Sequence, residues 1–410
     1  MTGSRILSCG ALSAAVFLLF SPPDIAAQPY DWPQWRGAKR DGTTIESNWN
    51  WNWKVLPPKV KWRASVGLGY SSMAVSVGKV FTMGNVNDVD HVYALNEGNG
   101  KVLWTYTYPC PGADADNYRG PRSTPAVDGE RVYTLSRVGH LLCINVDSGQ
   151  LVWSKSLTRD FAGRMPLWGY SGSPLIAGNL LIVENGAYQN NRSVIALNKS
   201  NGRLVWASGS DRPGYSSPVP CRIGDVPMVA VFSAQSISGR LLSNGRQVWR
   251  YNWKTADDVS AATPIIWEDK VFISSGYNSG CSLVQFGNNY ARPVWSNRYM
   301  RNHFSSCVLV KSHLYGFDEN ELRCMDITNG RIKWRTTVYG KGSLIAADDK
   351  LIVQAFNGMN AVVEANPWQF KELGRIQILN GKGAWTAPVL ANQLLLVRYQ
   401  SQLVALNIGG

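Results

Sequence analysis

Short apolar runs rich in Val, Ile, Leu and Tyr alternate with polar, glycine-bearing turns along this chain. Seven of the runs close on a tryptophan: Trp62, Trp104, Trp153, Trp206, Trp249, Trp295 and Trp334. These tryptophans stand roughly forty to fifty residues apart, a period that marks repeated four-stranded β units. Four units end in one shared phrase, at residues 94–104 (ALNEGNGKVLW), 143–153 (CINVDSGQLVW), 196–206 (ALNKSNGRLVW) and 324–334 (CMDITNGRIKW). Each phrase predicts a third strand, a tight turn and a fourth strand. Asn99-Gly100, Ser148-Gly149, Asn201-Gly202 and Asn329-Gly330 supply the positive φ of the turn. Asn96, Asn145, Asn198 and Asp326 are placed to bond its backbone. The closing Trp is a large amphipathic ring, suited to wedging between successive sheets with its N–H bonded across the joint. Asn244-Gly245 before Trp249 keeps the turn, whereas residues 285–295 are assigned by position alone.

The phrase spacing A-x-[DN]-x-x-[TSN]-G-[KRQ]-x-x-W resembles the docking motif of the pyrroloquinoline quinone (PQQ) repeat propellers. That group includes quinoprotein dehydrogenases and BamB-type outer-membrane assembly lipoproteins. Residues 31–37 (DWPQWRG), followed by Arg40-Asp41-Gly42, are similar to the N-terminal signature of secreted BamB-like propellers. The resemblance implies an all-β, eight-bladed β-propeller of four-stranded antiparallel blades.

The blade count can be checked separately. Eight short segments of small residues read as innermost strands: Ser71-Ser72-Met73, Ser123-Thr124-Pro125, Gly172-Ser173-Pro174, Ser216-Ser217-Pro218, Ala262-Thr263-Pro264, Ser305-Ser306-Cys307, Gly342-Ser343-Leu344 and Thr386-Ala387-Pro388. Inner strands crowd around the axis, and Pro is tolerated where no ladder N–H is needed. Two units follow Trp334 without a closing Trp. Leu373-Gly374 stands near the seventh closing position, and the last unit ends at the third-strand match of residues 403–406. Its missing fourth strand is assigned to residues 59–63, which contain Trp62, so that the two chain ends share one blade.

Three divisions follow. Residues 1–27, with Arg5, an apolar run over 6–20 and Ile25-Ala26-Ala27, form a secretory signal whose core is short for a membrane span. Cys9 precedes that core, so a lipid anchor is not expected. Residues 28–58 form a Trp-rich segment in which Trp49, Trp51 and Trp53 alternate with polar residues, read as packing against the propeller side. Residues 59–410 are the propeller. The mature protein is expected to be periplasmic or secreted, monomeric, and without a transmembrane span.

Six cysteines lie beyond the signal. Cys143 and Cys324 occupy a small third-strand position and Cys307 replaces an inner-strand Pro, all three reading as buried apolar residues. Cys110 and Cys221 are the better candidates for a bridge. The net charge of +13 favours acidic partners. An envelope protein or an anionic glycan fits this balance, whereas nucleic acid is a poor fit for an exported chain.

No catalytic or metal constellation stands out. The four histidines make no HExxH pair, there is no CxxC, and residues 169–172 imitate a nucleophile elbow without its second spaced glycine. Asp114, Asp116 and Asn117 lack the glycine of a calcium loop. The PQQ dehydrogenases resemble one another in a vicinal Cys-Cys disulfide, a Trp and a Ca²⁺ site around the cofactor, and this chain has no adjacent cysteines. PQQ with Ca²⁺ therefore stays a minority expectation beside no cofactor. Binding is expected at one rim of the funnel, three residues before each inner-strand Pro position: Tyr70, Arg122, Ser171, Tyr215, Ala261, Phe304, Lys341 and Trp385. Arg119, Trp168, Tyr170, Asp258 and His303 extend this aromatic and cationic mouth, carried partly by long loops over residues 106–122 and 154–170. The expected function is a non-enzymatic exported scaffold in envelope protein assembly. A PQQ-dependent oxidoreductase and a polysaccharide-binding accessory protein are the alternatives.

Overall fold

The computed structural model describes residues 30–112, 118–381 and 383–409. The signal assigned to residues 1–27 and the loop residues Asp114, Asp116 and Asn117 lie outside them. Eight sheets form the blades, each with four antiparallel strands; in seven of them the four are consecutive in sequence and run in order from the axis outward. Blade 1 runs from Ala74–Ser76 to Val102–Pro109, blade 2 from Ala126–Asp128 to Leu151–Ser156, blade 3 from Leu175–Ala177 to Leu204–Ser208 and blade 4 from Val219–Ile223 to Gln247–Asn252; blade 5 runs from Ile265–Trp267 to Tyr290–Asn297, blade 6 from Val308–Val310 to Ile332–Thr336 and blade 7 from Gly342–Ala347 to Glu372–Gln377. Blade 8 takes Val389–Ala391, Leu394–Tyr399 and Gln402–Asn407 from the C-terminal end and Lys59–Ser65 as its outer strand. Trp62 there stands opposite Ala405, so the ring closes without a covalent link.

Every outer strand carries a register shift against its neighbour, in the first seven blades and in the closing pair alike. The bulge raises the local twist, which turns the closing Trp out of its own sheet toward the next blade. Trp206 Nε1 donates to Leu242 O at 2.8 Å, Trp104 Nε1 to Val146 O at 2.8 Å and Trp62 Nε1 to Glu97 O at 2.8 Å. Trp153, Trp295 and Trp334 make the same reach to Lys199, Ile327 and Asn366. Each of the first five rings in such pairs lies over the turn glycine of the blade it reaches. A Cβ on Gly245 would come within 2.4 Å of the Trp206 ring, and one on Gly100 within 2.5 Å of Trp62. The turn glycine is thus required twice, for its positive φ and for the ring above it.

Trp249 departs from this pattern. The blade it faces has lost the phrase; its ring instead stacks on Phe286 at 4.6 Å and 17°, and its buried Nε1 has no partner. Trp249→Phe is therefore expected to be near neutral, whereas Trp206→Phe should lose about 0.5–1.5 kcal/mol for its hydrogen bond. Urea unfolding of the two variants measures the contrast. Blade 7 has Gly374 at the closing position, and Trp53 fills the space, 2% exposed, with its Cβ 2.7 Å from where a Gly374 Cβ would stand. Trp49 is likewise buried, while Trp51 is turned outward under Lys350.

The small-residue triplets correct one expectation. Innermost strands begin just after seven of them, at Ala74, Ala126, Leu175, Val219, Ile265, Val308 and Val389; only Gly342-Ser343-Leu344 lies inside its strand. The triplets bond sideways instead of along a ladder. Ser72 N–H donates to Thr124 Oγ1, Thr124 N–H to Ser173 Oγ, Ser173 N–H to Ser217 Oγ and Thr263 N–H to Ser306 Oγ, at 2.9–3.2 Å. Hydroxyls there satisfy backbone donors of the preceding blade, as buried N–H groups require.

Residues 31–46 enter the axial channel. Trp32 pairs with Val75 of blade 1, Pro33 O accepts from Val127 N of blade 2, and Trp35 Nε1 donates to Thr263 Oγ1 of blade 5 at 2.8 Å. Arg40 donates to Ser173 O and Pro174 O of blade 3, and Arg36 to Cys307 O of blade 6. Thr43–Thr44 then adds a short parallel strand to blade 7. Burial pushes Arg36 down to about 10 and Arg40 to about 9. Both guanidinium groups are held by backbone carbonyls, whose dipoles stand in for a carboxylate. The six described cysteines are all free and buried. Cys110 and Cys221 are not bridged: Cys110 follows the outer strand of blade 1, whereas Cys221 sits on the inner strand of blade 4.

Candidate functional site

Seven of the eight residues expected at the funnel rim, Tyr70, Arg122, Ser171, Tyr215, Ala261, Phe304 and Trp385, line one cavity of about 320 Å³. The chain enters each inner strand through its triplet, so the residue ahead of the triplet is delivered to the axis from each blade in turn. Trp35 of the channel segment also lines it. The segment that fills the axis thereby gives the cavity its floor.

Trp385 is the centre of the aromatic wall. Tyr118 stacks on it at 4.7 Å and 18°, Phe304 lies at 4.8 Å, Tyr70 at 5.4 Å and Phe356 at 5.7 Å. Trp168 and Tyr215 form a second pair at 5.6 Å. Arg122 is the single lining residue with a permanent charge, and no carboxylate is among the lining residues described. Its guanidinium donates to Trp168 O and to Tyr118 O, tying the two long loops together over the mouth. Burial pushes the Tyr215 phenol up to about 12 and raises that of Tyr70, so both remain neutral donors at ordinary pH. His303 meets Tyr277 edge-on at 4.8 Å. Its pKa is lowered by burial and then by Lys341, which favours the neutral ring.

Several expected rim residues lie elsewhere. Tyr170 is 3% exposed inside the core between blades 2 and 3, its hydroxyl donating to Asn185 O at 2.9 Å. Gly169, with φ of 83°, turns the chain there and sends Trp168 to the mouth and Tyr170 inward. Arg119 pairs with Asp88 at 2.6 Å in a separate groove beside Leu68 and Val86. Lys341 stands behind the wall, 3.1 Å from Glu319 and 3.4 Å from His303 Nδ1. Asp258 is taken by Arg212. Sequence reasoning missed Trp35, Tyr118, Val259 and Tyr277. Only Tyr118 carried a signal, as part of a long loop already marked for function.

Behind Tyr215, the loop from blade 3 to blade 4 rests on a buried acid. Gly214 N–H donates to Glu184 Oε2 at 3.1 Å, and the Ser233 side chain also bonds this carboxyl. Burial raises the Glu184 carboxyl to about 8.

The fold and its site define a PQQ-repeat propeller whose axis is filled by its own N-terminal segment and whose funnel is lined with aromatic side chains. The family model described as outer membrane protein assembly factor BamB matches residues 88–336, more than half of the chain, and the chain belongs to that family. The outer membrane protein assembly factor BamB of Shewanella oneidensis is 22% identical over 376 residues, covering 85% of this chain and 88% of that relative. The dehydrogenase subunit of alcohol dehydrogenase (quinone) from Gluconobacter oxydans is 26% identical over 226 residues, covering 50% of this chain and 30% of its own length. Among solved structures, BamB from Moraxella catarrhalis superposes with a TM-score of 0.60 at 14% identity, covering 85% of this chain and 97% of that one. Quinohemoprotein alcohol dehydrogenase from Comamonas testosteroni gives 0.69 at 12% identity, covering 95% and 82%. At such identities the structural likeness speaks for the fold. No helix among the described residues is long and apolar enough to cross a membrane.

Proposed function

We propose that this protein is an exported binding scaffold of the cell envelope, acting in outer-membrane protein assembly by holding a segment of a partner in its funnel. The observation that carries this reading is the aromatic cavity whose described lining residues include one guanidinium and no carboxylate. Aromatic faces supply apolar contact area at low entropy cost, and the positive charge of Arg122 at the mouth favours an acidic partner by its field. The membership in the BamB family supports the setting, and the net charge of +13 supports an acidic partner. A glycan bearing carboxylates is the nearest rival occupant.

The neighbouring dehydrogenases raise a cofactor reading. Ca²⁺ takes about six to eight oxygen ligands, mostly carboxylate and carbonyl. The described cavity lining offers it no Asp, Glu, Asn or Gln, so these residues do not fit a calcium-held quinone. Addition of PQQ with Ca²⁺ followed by dye-linked turnover would overturn the scaffold reading.

The direct test is a variant carrying Arg122→Ala, Tyr215→Ala and Trp385→Ala. Capture of the partner from envelope extract is expected to fall at least about a hundredfold, since each hot-spot truncation costs about 2 kcal/mol or more. Retained capture by a folded triple variant sinks the assignment of the funnel.

A further inference from the structure

We infer that the seam between blades 3 and 4, away from the funnel, binds a phosphate monoester dianion. The seam holds a pocket of about 440 Å³ whose walls include Ser208, Ser210, Asp211, Arg240, Arg246 and Arg250. Three guanidinium groups face one carboxylate there. Asp211 is already engaged inside the protein: one oxygen accepts from Arg250 at 2.7 Å and the other from the Ser236 hydroxyl. The pocket keeps two cations in excess, which matches the charge of a dianion.

Arg240 is the residue that makes this a built site. It is 3% exposed, yet no ion pair is formed by it among the described residues. Its side chain donates to two neutral oxygens, Ser208 Oγ and Gln247 Oε1, and its buried Nε has no partner. Burial of that charge lowers its pKa, an effect opposed by Asp211 and Glu184 and reinforced by Arg250. A buried guanidinium held only by neutral oxygens is costly, and an anion in the adjoining pocket would offset the cost. Gly209, with φ of 94°, lets the backbone lie flush on it, since a Cβ would come within 2.6 Å of Arg240 Nη2. Arg246 projects from the exposed turn of blade 4 and pairs with no carboxylate among the described residues.

The chemistry of these walls selects phosphate. Planar guanidinium forks match the oxygen spacing of phosphate and bind it bidentately. The Ser210 hydroxyl and the amides of Asn191 and Asn244 add donors around the same space, and no aromatic side chain is among the described lining residues to favour a ring. The phosphate group has two sources, a soluble phosphate compound or the headgroup of a phosphorylated lipid.

The full chain is titrated with inorganic phosphate against chloride at matched ionic strength, by calorimetry and thermal shift. Saturable binding is expected with phosphate alone. Arg246→Gln should weaken it about tenfold, the loss of one charge-assisted contact, without moving the melting temperature in phosphate-free buffer. Arg240→Lys keeps the charge, loses the fork, and should weaken binding by at least as much. Co-sedimentation with phosphatidylcholine vesicles containing one fifth phosphatidic acid separates the sources. Retention that free phosphate competes away assigns the lipid, and phosphate binding without retention assigns a soluble compound. Equal responses to phosphate and chloride, or unchanged affinity in Arg246→Gln, overturn the inference. Failure there leaves the funnel reading intact, because the two sites share no residue.

Discussion

Trp206→Ala is expected to lower the unfolding free energy by about 3–5 kcal/mol, the usual cost of deleting a buried aromatic ring. Trp206 is 6% exposed and joins blade 3 to blade 4 through its ring over Gly245 and its N–H to Leu242 O. Gly245→Ala attacks the same joint from the other side. Its φ of 74° costs a non-glycine residue about 1–2 kcal/mol, and its methyl group would stand 2.4 Å from the ring. The double variant is expected to be less unstable than the sum of the singles, because removing the ring makes room for the methyl. Urea unfolding of the four proteins measures the coupling. Strict additivity would show that ring and glycine act independently, contrary to the contact.

A second large effect concerns pH. The Glu184 carboxyl titrates near 4.5 in the unfolded chain and holds its proton to about 8 in the fold. Between those values the folded state binds more protons, so stability falls as pH rises. The favourable contribution is complete below about 4.5 and is lost on passing through about 8. At about 1.4 kcal/mol for each unit of difference, the swing is on the order of 5 kcal/mol. Glu184→Gln keeps the shape without the charge. It is expected to match the parent near pH 5 and exceed its stability at pH 9, with a flatter profile between. Parallel profiles for the two proteins would mean that Glu184 ionises in the fold without penalty.

Much of the cavity lining is legible in the sequence, for a reason rooted in the repeat. A residue at a fixed offset from each triplet occupies an equivalent place in each blade, so Tyr70, Arg122, Tyr215, Phe304 and Trp385 were selected by counting alone. Tyr170, expected at the rim as the neighbour of Ser171, is buried instead, because adjacency in sequence does not fix side-chain direction. A left-handed turn at Gly169 separates it from Trp168. Arg119 and Lys341 were placed on charge and offset, but each had a nearer carboxylate, Asp88 and Glu319.

The sequence by itself determined the blades, their number and the closure through Trp62, since these depend on short-range patterns: alternation, a turn within one hairpin and a period that recurs. Only the tertiary structure decided what the axis contains. Trp35 meets Thr263 and Arg36 meets Cys307 across more than two hundred residues, and no local periodicity encodes such contacts. The same holds for the turn glycines, which local reading explains through φ alone. Their second task, to leave space for the tryptophan of the preceding blade, exists only once the blades are packed side by side.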